Sequence, residues 1–170
     1  MEATTIKLYS LDYSNSRTYF TGVLFIIGNL IFPQLCHLIP LGGIIFLPIY
    51  FFTLVGAYKY GWKVGLLTGI FSVLINSLFF GMPLPEVLPT ILIKSVLLAF
   101  AAGIAANYFK RISIPVLLLV VLSYQLVGTY AEWLIIGDFN VAFQDFRMGI
   151  CGMFLQVFGG FLFIKYLIRK

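Results

Sequence analysis

The sequence predicts an all-α membrane protein of six transmembrane helices, with the N- and C-termini cytoplasmic. Three observations predict it. First, the 170 residues are 61% apolar and only 10% charged, with a mean hydropathy of +1.04. An ordinary soluble domain is about 25% charged. Second, six apolar segments approach the roughly 20 residues that a helix needs to cross a bilayer at about 1.5 Å per residue. Third, nine of the eleven Lys and Arg residues fall in alternate gaps between those segments. Lys7 and Arg17 precede the first, and Lys59 and Lys63 separate the second from the third. Lys110 and Arg111 separate the fourth from the fifth, and Lys165, Arg169 and Lys170 close the last. Basic residues flanking spans are retained on the cytoplasmic side, so this sorting gives both the span count and the orientation.

Taken in order, the spans read Tyr19–Leu38, Gly42–Tyr58, Trp62–Phe80, Val87–Phe109, Ser113–Ile136 and Phe146–Tyr166. The second is the shortest, and Pro48 blurs its outer end. Residues 1–16 are polar with scattered Ile6, Leu8, Tyr9 and Leu11, and read either as a cytoplasmic tail or as a short surface helix. The first apolar run starts late, near Phe20, and has no small-residue cleavage site after it, so a signal peptide is not expected. The inner connections are short. The outer ones are longer: Phe32 to Gly43 and Phe80 to Glu86, both with several Pro and Gly, and Gly137 to Asp145, opened by a Gly. Pro and Gly break helices, so these stretches are expected as turns or loops folded back on the helix ends. Residues 1–170 form a single membrane domain.

The same residues exclude several classes. The net charge of +5 is spread over the gaps instead of forming a patch, so nucleic-acid binding is not expected. Cys36 and Cys151 have no metal-ligand spacing and are placed apart, so neither a metal site nor a disulfide is expected. The stretch Gly56-Ala57-Tyr58-Lys59-Tyr60-Gly61-Trp62 lacks the Lys-Ser/Thr of a phosphate-binding loop, and no hydrolase motif occurs. The chain is therefore expected to be neither an ATPase nor another enzyme, and to hold no cofactor.

Ionisable and strongly polar residues inside spans are functional-site candidates by default. Lys94 lies about two turns into the fourth span from its outer end, Glu132 about one turn from the outer end of the fifth, and Arg147 opens the sixth. His37 closes the first span, and Asn76 lies about one turn from the outer end of the third. Their shared depth is that of a pocket open to the outside and covered by the outer loops. Each has a plainer alternative. Lys94 and Glu132 can pair with each other, and Arg147 can snorkel or pair with Asp145. His37 can be interfacial, and Asn76 an interhelical hydrogen bond. The small residues Gly61, Gly65 and Gly69, and Ala99 with Gly103, form faces for close helix packing, within the bundle or against a partner.

The succession Pro33-Gln34-Leu35-Cys36-His37, Phe46-Leu47-Pro48, Gly61-Trp62-Lys63-Val64-Gly65-Leu66-Leu67-Thr68-Gly69 and Gly81-Met82-Pro83 resembles the substrate-binding S components of energy-coupling factor (ECF) transporters in order and spacing. The resemblance implies a protein that captures a vitamin or related micronutrient at the outer face. It also implies docking on a transmembrane coupling protein with two cytoplasmic ATPase subunits, in the plasma membrane of a prokaryote. On this reading His37, Asn76, Lys94, Glu132 and Arg147 line the site, and Pro33, Gln34, Pro40, Gly81, Met82 and Pro83 belong to gating loops. Two departures stand out. Gly22 and Gly28 do not match the Ala-x-x-x-Ala docking face of the family's first helix, and Lys94 stands where many members have Glu. A cation there suits a carboxylate or phosphate on the substrate. The alternatives are a stand-alone ion-coupled transporter, a small enzyme acting on membrane lipid, and a structural membrane protein.

Overall fold

The computed structural model describes residues 8–168; Lys7, Arg169, Lys170 and the first residues of the tail lie outside the described residues. Seven helices follow in order: α1 (Ser16–His37), α2 (Gly42–Tyr60), α3 (Trp62–Phe80), α4 (Leu88–Phe109), α5 (Ile114–Ile136), α6 (Phe139–Met148) and α7 (Ile150–Leu167). All but α6 are long and apolar enough to cross a membrane, giving the six spans of a multi-pass membrane protein. Large apolar side chains such as Phe20, Leu78, Phe79, Ile104 and Leu134 lie on the outside of the bundle. In water such a surface would be costly, and in lipid it is required.

Helix α1 runs through Pro33 to His37, close to the end expected for the span Tyr19–Leu38, so the first outer connection is helical as far as His37. Two other boundaries differ from the sequence expectation. Helix α2 is jointed. An α turn at Gly42–Phe46 is followed by Leu47 in the left-handed region (φ 45°), a 3-10 turn at Pro48–Tyr50, and regular helix from Phe51. Pro48 supplies the joint, because it has no N–H to continue the ladder. The segment read as the third outer loop and the start of the last span is instead a separate helix, α6. Asp138 caps it by accepting hydrogen bonds from the N–H of Asn140 and Val141. Its rings stack in a row, Phe139 on Phe143 and Phe143 on Phe146, and Trp133 at the end of α5 meets Phe139 edge-on. A stripe at i, i+4, i+7 is what a short helix needs to lie on its neighbours.

The second half of α2 is the axis of the bundle. Leu54, Val55, Ala57 and Tyr58 are wholly buried, and α1, α3 and α4 pack around them. The small residues face inward: Gly65 meets Ala57 and Ala99, Gly69 meets Thr53 and Ser95, and Gly103 meets Trp62. They serve packing inside the bundle.

At one end, residues 8–12 form an extended strap. The Tyr9 and Leu11 N–H groups donate to the carbonyls of Lys59 (2.9 Å) and Tyr60 (3.0 Å). The Tyr9 ring stacks on Tyr60, and Lys63 pairs with Asp12 at 2.5 Å. Lys59, expected in an open gap, is wholly buried beneath the strap, with Nζ 5.4 Å from the Tyr9 ring centroid. Tyr58 donates to the Arg111 carbonyl at 2.7 Å, so the short basic connections share this end. The long Pro- and Gly-rich connections share the other.

Candidate functional site

The loop end encloses a cavity of about 360 Å³. Pro33 and His37 come to it from the end of α1, Gly43, Ile44 and Leu47 to Tyr50 from the jointed part of α2, and Asn76 from α3. Met82, Pro83, Leu84 and Val87 close it from the α3–α4 loop, Ile91 lies behind them on α4, and Asp145 enters from α6. The joint at Leu47–Pro48 turns this part of α2 into a wall of the cavity. A wall that is mostly aliphatic, with a few polar groups, is the usual construction of a small-molecule site.

A hydrogen-bond cluster holds α1, α2 and α3 together at the cavity. Pro33 has no N–H, so the Asn29 carbonyl one turn earlier loses its helical partner. The Asn76 amide takes that place, donating to the Asn29 carbonyl and the Ser72 carbonyl, both at 2.9 Å. The Asn29 side chain donates to Thr53 (3.0 Å) and Ser72 (3.2 Å) and accepts from the Phe52 N–H (3.1 Å). Gln34 reaches Asn76 Oδ1 at 3.5 Å.

The charges form a second cluster. Lys94 Nζ lies 2.5 Å from Glu132 Oε2 and 2.8 Å from Asp145 Oδ2. The side chains of Lys94 and Glu132 are 1% and 7% exposed, that of Asp145 28%. Asp145 therefore fronts the cavity, and the other two lie behind it. Gly128 makes room for the lysine, because a Cβ there would come within 2.5 Å of Lys94 Cγ. One ammonium held by two carboxylates has no surplus positive charge to offer an anion.

Buried polar atoms extend inward from this cluster. Tyr50 and Tyr124 place their ring centroids 5.5 Å apart, and Tyr124 donates to Gln156 Oε1 at 3.0 Å. The Tyr50 hydroxyl, Ser95 Oγ, both amide atoms of Gln125, Thr129 Oγ1 and Gln156 Nε2 are buried without a hydrogen-bond partner. Unmet buried groups are costly, and their concentration in one region marks a place where solvent or ligand completes the bonding.

The structure thus brings His37 and Asn76 to the cavity, and Lys94 and Glu132 to its back through Asp145. Arg147 is not part of it. It sits exposed in the last turn of α6 and lines a separate recess with Asn140, Gln144 and Met148. Arg147 also leaves Asp145 to Lys94. Of the loop residues, Pro33, Met82 and Pro83 line the cavity, while Gln34 acts through Asn76. Gly81 makes the left-handed turn (φ 68°) after α3, the Met82–Pro83 peptide is cis, and Ser77 donates to the Pro83 carbonyl at 2.8 Å. Pro40 lies exposed in the α1–α2 turn. Asp145 and Tyr50 are the residues that sequence reasoning missed. An acidic residue seven positions after a capping Asp138, on the inward side of an amphipathic α6, was the available signal for the first.

Both cysteines are free thiols, Cys36 buried and Cys151 exposed. Among the described residues no group of His, Cys, Asp and Glu is placed to hold a metal ion. Compared with protein-family models, curated proteins and solved structures, the chain gives no match.

Proposed function

We propose that the chain is the substrate-capturing subunit of an ATP-driven importer of the ECF type, an S-component-like protein of a prokaryotic plasma membrane. The termini and the short basic connections face the cytoplasm, as the sorting of Lys and Arg requires, and the cavity faces out. The observation that carries the reading is the cavity itself. It is vitamin-sized, walled by aliphatic side chains and backed by a buried charge cluster. Capture needs such a pocket and no reactive group. Energy for release inward comes from partners, namely a transmembrane coupling protein and two cytoplasmic ATPases. The Met82–Pro83 loop and the end of α1 are the gates.

Ion-coupled transport is favoured by one observation, the unpartnered polar atoms at Gln125 and Thr129. They do not continue. Beyond Tyr124, whose hydroxyl is bonded to Gln156, the buried positions of α5 toward its start are Val121, Val120, Leu117 and Val116, which offer an ion or a proton no ligand. The experiment is uptake of the co-purifying molecule into vesicles carrying this chain with its coupling protein and ATPases. Uptake that needs internal ATP supports the reading. Uptake by this chain alone that collapses with the ion gradient refutes it.

A further inference from the structure

The charge cluster indicates what the cavity reads. Its one ammonium faces two carboxylates, and the carboxylate of Asp145 is the member that fronts the cavity. Hydrogen-bond accounting agrees. Glu132 and Asp145 each engage Lys94 through a single oxygen, so Oε1 and Oδ1 accept nothing from the described residues. Carboxylates accept only, and the lysine has one N–H left against them. The wall contains no Lys or Arg, and its basic residue is His37 in the last turn of α1, which makes no ion pair with Asp145 or Glu132.

A second feature points the same way. The Tyr50 hydroxyl belongs to a residue that is 2% exposed and lines the same cavity as Asp145, and it has no hydrogen-bond partner. An unpartnered wall phenol and a carboxylate on the same cavity are both acceptors that lack a donor. An incoming anion meets Asp145 first, at low dielectric, where like-charge repulsion is strong. An ammonium or a protonated nitrogen heterocycle meets acceptors that lack donors.

We propose that the cavity selects a ligand with an apolar body and a cationic nitrogen head, and that Asp145, supported by Tyr50, reads the head. This rests on the capture reading and reverses the anionic preference that Lys94 alone implied. Lys94 then holds the two carboxylates in place and keeps the buried cluster from carrying two unpaired charges.

The test uses three molecules with the same indole body and different heads: tryptamine, tryptophol and indole-acetate. Binding to the purified full-length chain in mild detergent is measured by equilibrium dialysis. The expected result is that tryptamine binds at least tenfold more tightly than the other two. Asp145→Asn removes that preference and Asp145→Glu retains it. Tyr50→Phe weakens tryptamine binding several-fold with an unchanged melting temperature, because the lost hydroxyl has no protein partner. Preference for indole-acetate, or equal binding of all three, overturns the cationic assignment and leaves the capture role standing. Failure of all three to bind at millimolar concentration overturns both.

Discussion

Asp145 Oδ2 lies 2.8 Å from Lys94 Nζ, across 51 positions of sequence, and this contact joins the short helix α6 to the buried charge of α4. It explains how a lysine survives at 0% exposure inside an apolar bundle. A single buried ion pair barely repays its desolvation, and a second carboxylate with a view of the cavity adds both attraction and partial hydration.

Removing the lysine should therefore cost more than removing either acid. Lys94→Met leaves two carboxylates facing each other in a dry interior, and the expected loss is about 3–5 kcal/mol. Adding Glu132→Gln to that variant should restore part of the stability. Unfolding in detergent, followed by thermal or denaturant melts of the two variants, checks this. Equal stability of the single and double variants would contradict the pairing.

The cluster of α1, α2 and α3 gives a sharper test, because Asn76 fills a bond that Pro33 removes. Asn76→Ala strands the Asn29 carbonyl and should cost about 1–3 kcal/mol. In a Pro33→Ala background the helix regains its own N–H at that point, so the same substitution should cost less. A double-mutant cycle measures the difference, and strict additivity would show that the two are not coupled.

Packing predicts a third outcome. A Cβ on Gly103 would stand 2.5 Å from Trp62 Cβ and 2.9 Å from its Cα, and backbone cannot swing aside. Gly103→Ala should destabilise by about 1–3 kcal/mol through overpacking. Gly81→Ala meets no atom within 4 Å, so its cost is confined to the left-handed turn, about 1 kcal/mol. Melting temperatures of the two variants order these effects.

The helices were largely legible in the sequence, and for physical reasons. Trp62–Phe80 is bounded by Gly61 and Gly81, both at positive φ, so the punctuation and the apolar run agree. The basic residues at the short turns reinforced the count. Pro33, a breaker by rule, sits inside the first span and is tolerated there because Asn76, 43 positions further on, supplies the hydrogen bond it removes. Helix α6 was hidden. It is short, less apolar than the spans, and identified by its Asp138 cap and aromatic stripe instead of by length. With Asp145 in a loop, as the sequence suggests, Lys94 keeps a positive charge that the fold takes away. Position along each span is enough to bring His37 and Asn76 to one cavity and Lys94 to Glu132. The outward turn of Arg147 does not follow from it, because it depends on where α6 begins.

The strap at the basic end carries a pH prediction. The hydrogen bond from Lys63 holds the Asp12 carboxyl below the usual carboxylate range, helped by the Tyr13 N–H. A carboxylate depressed in the folded state contributes stability above its unfolded pKa and loses it as pH falls through the lower folded value. Amide exchange at Tyr9 and Leu11 should therefore be slow at neutral pH and faster, relative to the intrinsic rate, in strong acid. Asp12→Asn should give the fast behaviour already at neutral pH. Equal protection in both proteins at neutral pH would detach the ion pair from the strap.

The most direct measurement is mass spectrometry of the small molecules released from gently purified protein, wild type beside Asp145→Asn. The expected result is a vitamin-sized, nitrogen-bearing compound held by the wild type and lost from the variant. A wild-type protein that releases nothing, and whose melting temperature is unmoved by a panel of vitamins and tryptamine, would contradict it.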